Sequence, residues 1–214
     1  ASDWPYAPSV HRQYWESEAR RPLHRLLKRW LAPQALQRLA QEEQRFSLEF
    51  RRVLCVSQAV CAEMHRQAGV PIENLRVVYN GVEVDRFVPR TIGTGPKRGL
   101  SILYAGSLVP HKGVHTAIQA IGRLADQGAL DGTSLTIVGS GNPEYEQGLR
   151  RMVAEKGLEE KVWFWPRVSR EEMPALLSKF DVLLFPSIWE EPLARMMQEA
   201  MASGLVVIGT TLGM

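Results

Sequence analysis

A doubly wound parallel-sheet α/β fold is predicted for the greater part of this 214-residue chain. Three observations predict it. From residue 101 onward short apolar runs alternate with amphipathic stretches, and these runs end in loops of glycine, serine and proline that lead into helices. A breaker-rich segment at 89–99, with Pro89, Gly93, Gly95, Pro96 and Gly99, separates this region from an earlier one that lacks the strict alternation.

Taken in order, residues 1–13 read as irregular, with Pro5 and Pro8. Helical spacing follows over 14–50, broken at Pro33, a residue suited to the first turn of a second helix. The apolar run 53–56 reads as a buried strand, and Ser57 as the cap of a helix carrying Val60, Cys61 and Met64 inward. Gly69-Val70-Pro71 ends that helix, and 76–79 is a second short strand running into Asn80-Gly81.

Beyond the linker, strand 101–105 leads to a helix from Val114, whose Val114, Ala117, Ile118, Ile121 and Leu124 share one face at 3.6-residue spacing. Strand 134–138 leads through Gly139-Ser140-Gly141 to a helix ending near Lys156-Gly157. Strand 161–165 precedes a helix over 170–179, strand 181–185 one that starts at Pro192, and 205–208 is the fifth strand. The expected domains are 1–90, the C-terminal part of a first domain; 91–99, a linker; and 100–214, a second domain truncated in mid-sheet at Thr210-Thr211-Leu212-Gly213-Met214. The start at Ala1 is expected not to be the natural one.

Composition narrows the class. A 45% hydrophobic content and a net charge of +3 describe an ordinary globular chain, and no apolar run reaches the roughly 18–20 residues of a membrane helix. Cys55 and Cys61 have no metal-ligand spacing and read as buried thiols of a reducing cytoplasm. Basic residues gather early, at Arg12, Arg20, Arg21, Arg25, Lys28, Arg29 and Arg38. Such a stretch either solvates a helix face or touches anionic lipid headgroups at the inner face of a membrane. No nucleic-acid partner is expected.

The chemistry follows the strands. Gly106-Ser107-Leu108-Val109-Pro110-His111-Lys112-Gly113 is a loop whose small residues let backbone N–H groups approach a phosphate, with one lysine just before a helix N-terminus. Gly139-Ser140-Gly141 resembles part of a dinucleotide fingerprint, but Glu144 stands where the third glycine belongs, so a packing turn is expected instead. After the fourth strand, Pro192 suits a first helical position with Glu191 as the cap, and Glu199 lies eight residues on, about 12 Å along a helix. Two carboxylates so spaced match a sugar ring and a ribose at either end of a pyrophosphate, but the spacing alone favours a cap and an ordinary surface glutamate.

The order of these segments settles more than any one alone. Residues 53–57, the run from Val77 to Phe87 around Asn80-Gly81-Val82-Glu83, the loop from Gly106 to Gly113, the pair Glu191 and Glu199, and Glu199-Ala200-Met201-Ala202-Ser203-Gly204 together resemble the family-4 retaining glycosyltransferases of GT-B architecture. The resemblance implies a Rossmann-like donor domain taking a nucleotide-diphosphate sugar, with Lys112 on the diphosphate and Glu191 on the transferred sugar as the catalytic residues. It places Glu199 on the ribose and the backbone around Arg167-Val168 on the base. Gly106, Ser107, Gly113, Leu193 and Ala194 complete the donor contacts. It further implies transfer to a glycan, lipid or small-molecule acceptor in polysaccharide biosynthesis with retention, and no metal or cofactor.

Two residues depart from the family's pattern. Ser107 stands where an arginine is usual, removing one of two cations on the leaving diphosphate; Arg195, in the first turn after Glu191, either substitutes for it or is simply solvated. Leu193-Ala194 replaces Phe-Gly, and the Ala194 methyl sits where a backbone would approach the donor most closely. Lacking the first domain's acceptor side, the polypeptide as given is expected to be inactive alone. Two readings therefore share the motifs: a transferase, and a nucleotide-sugar-binding module without activity of its own. A nucleotide-sugar epimerase is disfavoured by its different motif set.

Overall fold

The computed structural model describes residues 51–89 and 99–211, within two compact units, Ala1–Asn80 and Gly81–Met214. In the first unit β1 (Val53–Cys55) pairs in parallel with β2 (Leu75–Val77), Val53 opposite Leu75 and Cys55 opposite Val77. Between them runs α1 (Gln58–Ala68). Ser57 caps it as expected: its backbone is extended and its hydroxyl accepts from the Val60 N–H at 3.2 Å. Gly69, at φ 64°, closes the other end in the left-handed conformation that glycine adopts without strain.

The expected inward face of α1 is only half-buried, Val60, Cys61 and Met64 included. Of the two thiols Cys55 alone is buried; burial first, then Cys61 beside it, pushes its pKa up to about 11. The helices expected over 14–50, and the basic residues from Arg12 to Arg38, lie outside the described residues.

The second unit contains β3 (Ser101–Ala105), α2 (Val114–Asp126), β4 (Ser134–Val138), α3 (Pro143–Glu155), β5 (Val162–Trp165), α4 (Met173–Leu177), β6 (Val182–Phe185), α5 (Arg195–Ala202) and β7 (Val206–Gly209). Among the described residues its strands form one five-stranded sheet in the order β5-β4-β3-β6-β7, with every pair parallel. The chain builds outward from β3 to β5, then returns to the other side of β3 for β6 and β7. A crevice therefore opens between the loops leaving β3 and β6, at the point where such sheets bind ligands.

Pleating divides the core between two faces. Tyr104, Leu135, Ile137 and Val162 pack against Val114, Ala117, Ile118 and Ile121 of α2 and Leu149 and Val153 of α3. Leu103, Ala105, Val138 and Leu183 point the other way, onto Leu176 and Leu177 of α4 and Ala200 of α5. Burial on both faces explains why the central strands β3, β4 and β6 read as largely continuous apolar runs; among the described residues the outer strands β5 and β7 expose Trp163, Trp165, Val206 and Ile208.

Phe87 is 2% exposed within the second core, and the compact unit that contains it reaches back to Gly81; residues 90–98, within the expected linker, lie outside those described. Two helix expectations shift. The helix expected over 170–179 is α4 alone, preceded by a turn in which Ser169 and Glu172 exchange hydrogen bonds. The helix expected from Pro192 starts at Arg195, with Ala194 at the cap position and no side-chain cap. Glu191 is not a cap, since Lys112 and Ser187 occupy its carboxylate. Residues 191–194 are not helical, so the 12 Å separation from Glu199 no longer follows from helical rise.

Candidate functional site

The loop leaving β3 and the loop leaving β6 are locked together by backbone contacts. After β3 the chain makes a short 3₁₀ turn, Pro110–Lys112, that ends at Gly113 with φ 70°, and Gly113 begins α2. A Cβ at Gly113 would sit 1.9 Å from the carbonyl oxygen of Pro186. Only glycine allows both that backbone angle and that approach. Beside it the Ile188 N–H donates to the His111 carbonyl at 2.9 Å, and the His111 and Trp189 rings lie 5.3 Å apart.

This closure brings Lys112 and Glu191, 79 residues apart, into an ion pair. Their side chains are 26% and 13% exposed, so much of the pair is withdrawn from solvent and weakly screened. Ser187, whose hydroxyl lies 3.1 Å from the same Oε1 of Glu191, is a third member that the sequence reading left without a role. His111, next to them, has its pKa lowered, by burial first and by Lys112 second.

A cleft of about 370 Å³ opens at the carboxyl ends of β3 and β4. Gly106 and Ser107 line one side, Gly139 and Ser140 another, and Val168 with Arg167 and Arg170 a third; Arg195, Met196 and Glu199 come from α5. Arg195 is paired with Glu199 at 3.8 Å. Of the expected donor residues, Gly106, Ser107, Val168 and Glu199 therefore line the cleft. Lys112, Gly113, Glu191, Leu193 and Ala194 are not among its lining residues; Lys112 and Glu191 meet as the ion pair instead. Gly139 and Gly141 serve packing, as expected: a Cβ on either would fall 1.9 Å from a carbonyl of the β3 loop.

The cationic side chains of the cleft went unrecognised in the sequence apart from Arg195. Arg170 is held by Glu83 at 3.9 Å, and Glu83 also pairs with Arg86 at 2.6 Å. The Glu83 carboxyl is held below its ordinary range by Arg86 first, with Arg170 and Arg195 adding to it. Glu83 lies in the Asn-Gly-Val-Glu run, which was singled out for its pattern and not for any charge it would meet. Among the described residues no cluster of three or more His, Cys, Asp or Glu side chains is placed to hold a metal ion. No helix among them is long and apolar enough to cross a membrane.

Comparison with known proteins covers both units. The sequence model of the glycosyl transferases group 1 matches residues 92–214, and that of glycosyltransferase family 4 matches 2–86. The O-antigen chain mannosyltransferase RfbU of Salmonella typhimurium is 31% identical over 158 residues, covering 74% of this chain and 41% of that protein. The MMP alpha-(1->4)-mannosyltransferase of Mycolicibacterium hassiacum is 28% identical over 188 residues, covering 88% and 42%. Among solved structures, Anabaena Alr3699/HepE in complex with UDP and glucose aligns at TM-score 0.69 and 23% identity, over 83% of this chain and 49% of that one. The same protein in complex with UDP aligns at TM-score 0.67 and 25% identity, over 84% and 50%. This chain thus spans well under half the length of the curated relatives it matches.

Proposed function

The chain belongs to the glycosyl transferases group 1 and has a GT-B type fold, and from that premise we propose that its parent protein transfers a sugar from a nucleotide-diphosphate sugar to a glycan, lipid or small-molecule acceptor with retention of configuration. The observation that carries the reading is the convergence, at one end of a parallel sheet, of the Lys112–Glu191 pair with a cleft lined by Ser107, Arg195 and Glu199.

Each group has a role that its surroundings support. Lys112 neutralises the diphosphate as charge develops on the leaving group, assisted by the N-terminus of α2. Glu191 accepts hydrogen bonds from sugar hydroxyls and Glu199 from the ribose diol. The backbone at Gly106 and Ser107 faces the phosphates, and Val168 meets the base. Arg195 lies in the cleft while Ser107 leaves a cation out, so Arg195 takes the place of the absent arginine. Leu193 and Ala194 complete the sugar side, and no metal is required. HepE's complex with UDP, on a related fold, supports a nucleotide donor, and an O-antigen mannosyltransferase among the relatives supports polysaccharide biosynthesis. The same reading puts the protein in the cytoplasm, where its basic N-terminal stretch can face anionic lipid.

Titration of the full-length protein with UDP, GDP and their glucose and mannose conjugates, followed by radiolabelled transfer to cell-envelope glycan acceptors, tests the proposal. Binding followed by transfer supports it, and binding without transfer to any acceptor favours the donor-binding module. Failure to bind any of the four defeats both.

A further inference from the structure

We propose that Ser187 is the positioning residue for Glu191: a fixed, buried hydroxyl that keeps the carboxylate aimed at the donor sugar once a diphosphate has drawn Lys112 away. The inference rests on the donor-site reading above.

Oε1 of Glu191 has two partners of different character. Lys112 reaches it from the end of a flexible four-carbon stem and is partly exposed. An incoming diphosphate carries more negative charge than one carboxylate and is expected to compete for the same ammonium. Ser187 cannot follow. It is 1% exposed, and its neighbours are tied down on both sides: Pro186 stands against Gly113, Ile188 donates to the His111 carbonyl, and Thr210 donates to the carbonyl of Ser187 itself.

A hydroxyl has one proton to give. The acceptors in reach of Ser187 Oγ are the His111 carbonyl at 3.4 Å, the Trp189 carbonyl at 3.3 Å and Glu191 Oε1 at 3.1 Å. The last is both nearest and charged, and a charge-assisted bond is the stronger one. The N–H of Trp189, 3.3 Å away, donates to a Ser187 lone pair and helps fix the hydroxyl's direction. With Lys112 engaged on phosphate, Ser187 remains as the hold on Glu191. The carboxylate would then meet sugar hydroxyls already oriented, and the discrimination between a nucleotide sugar and its bare diphosphate would pass through this serine.

Isothermal titration of the full-length protein with UDP and UDP-glucose, and with GDP and GDP-mannose, reads that discrimination. Ser187→Ala is expected to weaken binding of the preferred nucleotide sugar about tenfold, the size of one charge-assisted hydrogen bond, and to leave the bare diphosphate within about twofold. Ser187→Cys keeps the shape but donates weakly, and it gives the same loss even if the alanine variant packs poorly. In a Glu191→Ala background, which leaves Ser187 no side-chain acceptor at that position to hold, either change adds nothing. Equal loss of both ligands, unchanged selectivity, or additive effects in the double variant would overturn the inference. An unaltered protein that binds none of the four nucleotides would defeat the donor reading and this inference with it; normal discrimination that survives Ser187→Ala defeats this inference alone.

Discussion

Substituting alanine at three glycines of the second unit should give three different outcomes, and the spread tests whether the site is built on the close approach of two loops. Gly148 is an exposed position of α3 with nothing within 4 Å of an added Cβ, so Gly148→Ala should gain about 0.5–1 kcal/mol from helix propensity. Gly128 has φ 67° but equally open surroundings; Gly128→Ala should lose only the left-handed strain, about 1–2 kcal/mol. Gly113 has the same strain at φ 70°, and its Cβ would lie 1.9 Å from the Pro186 oxygen where ordinary contact begins at 3.4 Å. Relief needs a backbone shift of about 1.5 Å, enough to break the Ile188 to His111 hydrogen bond, a further loss of about 1 kcal/mol. Gly113→Ala should therefore cost about 2–3 kcal/mol in all and reduce nucleotide binding by separating Lys112 from Glu191. Urea unfolding followed by tryptophan fluorescence measures the series. If Gly113→Ala costs no more than Gly128→Ala, the loops yield freely and the ion pair does not depend on their contact.

Lys112→Ala should weaken nucleoside-diphosphate binding at least about tenfold, and Ser107→Arg should strengthen it; unchanged affinity in the first would give the phosphates to Arg195 and Arg170. Stability should fall as pH drops below about 6.5, because burial depresses the pKa of both His111 and His115. A group so depressed takes up protons more readily when unfolded, so its contribution is present above its ordinary pKa and is lost on acidification. His115, bonded to the Tyr145 hydroxyl at 2.9 Å, can be replaced by glutamine, and a flatter acid limb of the stability profile is the expected result. Phe87→Ala should cost about 3–5 kcal/mol despite lying before the breaker-rich segment; a loss below about 1 kcal/mol by the same urea assay would place 81–89 outside the second core.

The sheet was legible because its central strands β3, β4 and β6 are largely buried on both faces. Runs such as 101–105 and 134–138 are apolar but for Ser101, Ser134 and Thr136, and the structure places β3 and β4 at those residues. The stripe of α2 was equally plain, since Val114, Ala117, Ile118 and Ile121 can meet a sheet only along one side of a helix. Boundaries failed where local preference was overruled. Ser169-x-x-Glu172 carries capping-box chemistry, yet the residues between them close as a turn and α4 starts at Met173. Phe87 was assigned by its place before the glycines and prolines, whereas its partners Leu183 and Leu205 lie about a hundred residues further on.

The site was legible by type and not by contact. A lysine just before one helix and two glutamates eight residues apart were visible as candidates, because strand order alone sends the loops after β3 and β6 to the same crevice. Their partners were not visible. Glu191 next to Pro192 has every local mark of a helix cap, and what removes it from that role is an ammonium 79 residues away. That cation reaches it because Gly113 lets two backbones come closer than any side chain would allow. The same consideration explains why Ser187 was passed over: a serine after a strand is ordinary until a carboxylate is found 3.1 Å from its hydroxyl. Glu191 is therefore held by groups from both loops, and any change that widens the gap between them acts on the Lys112–Glu191 pair before it alters the cleft where Glu199 sits.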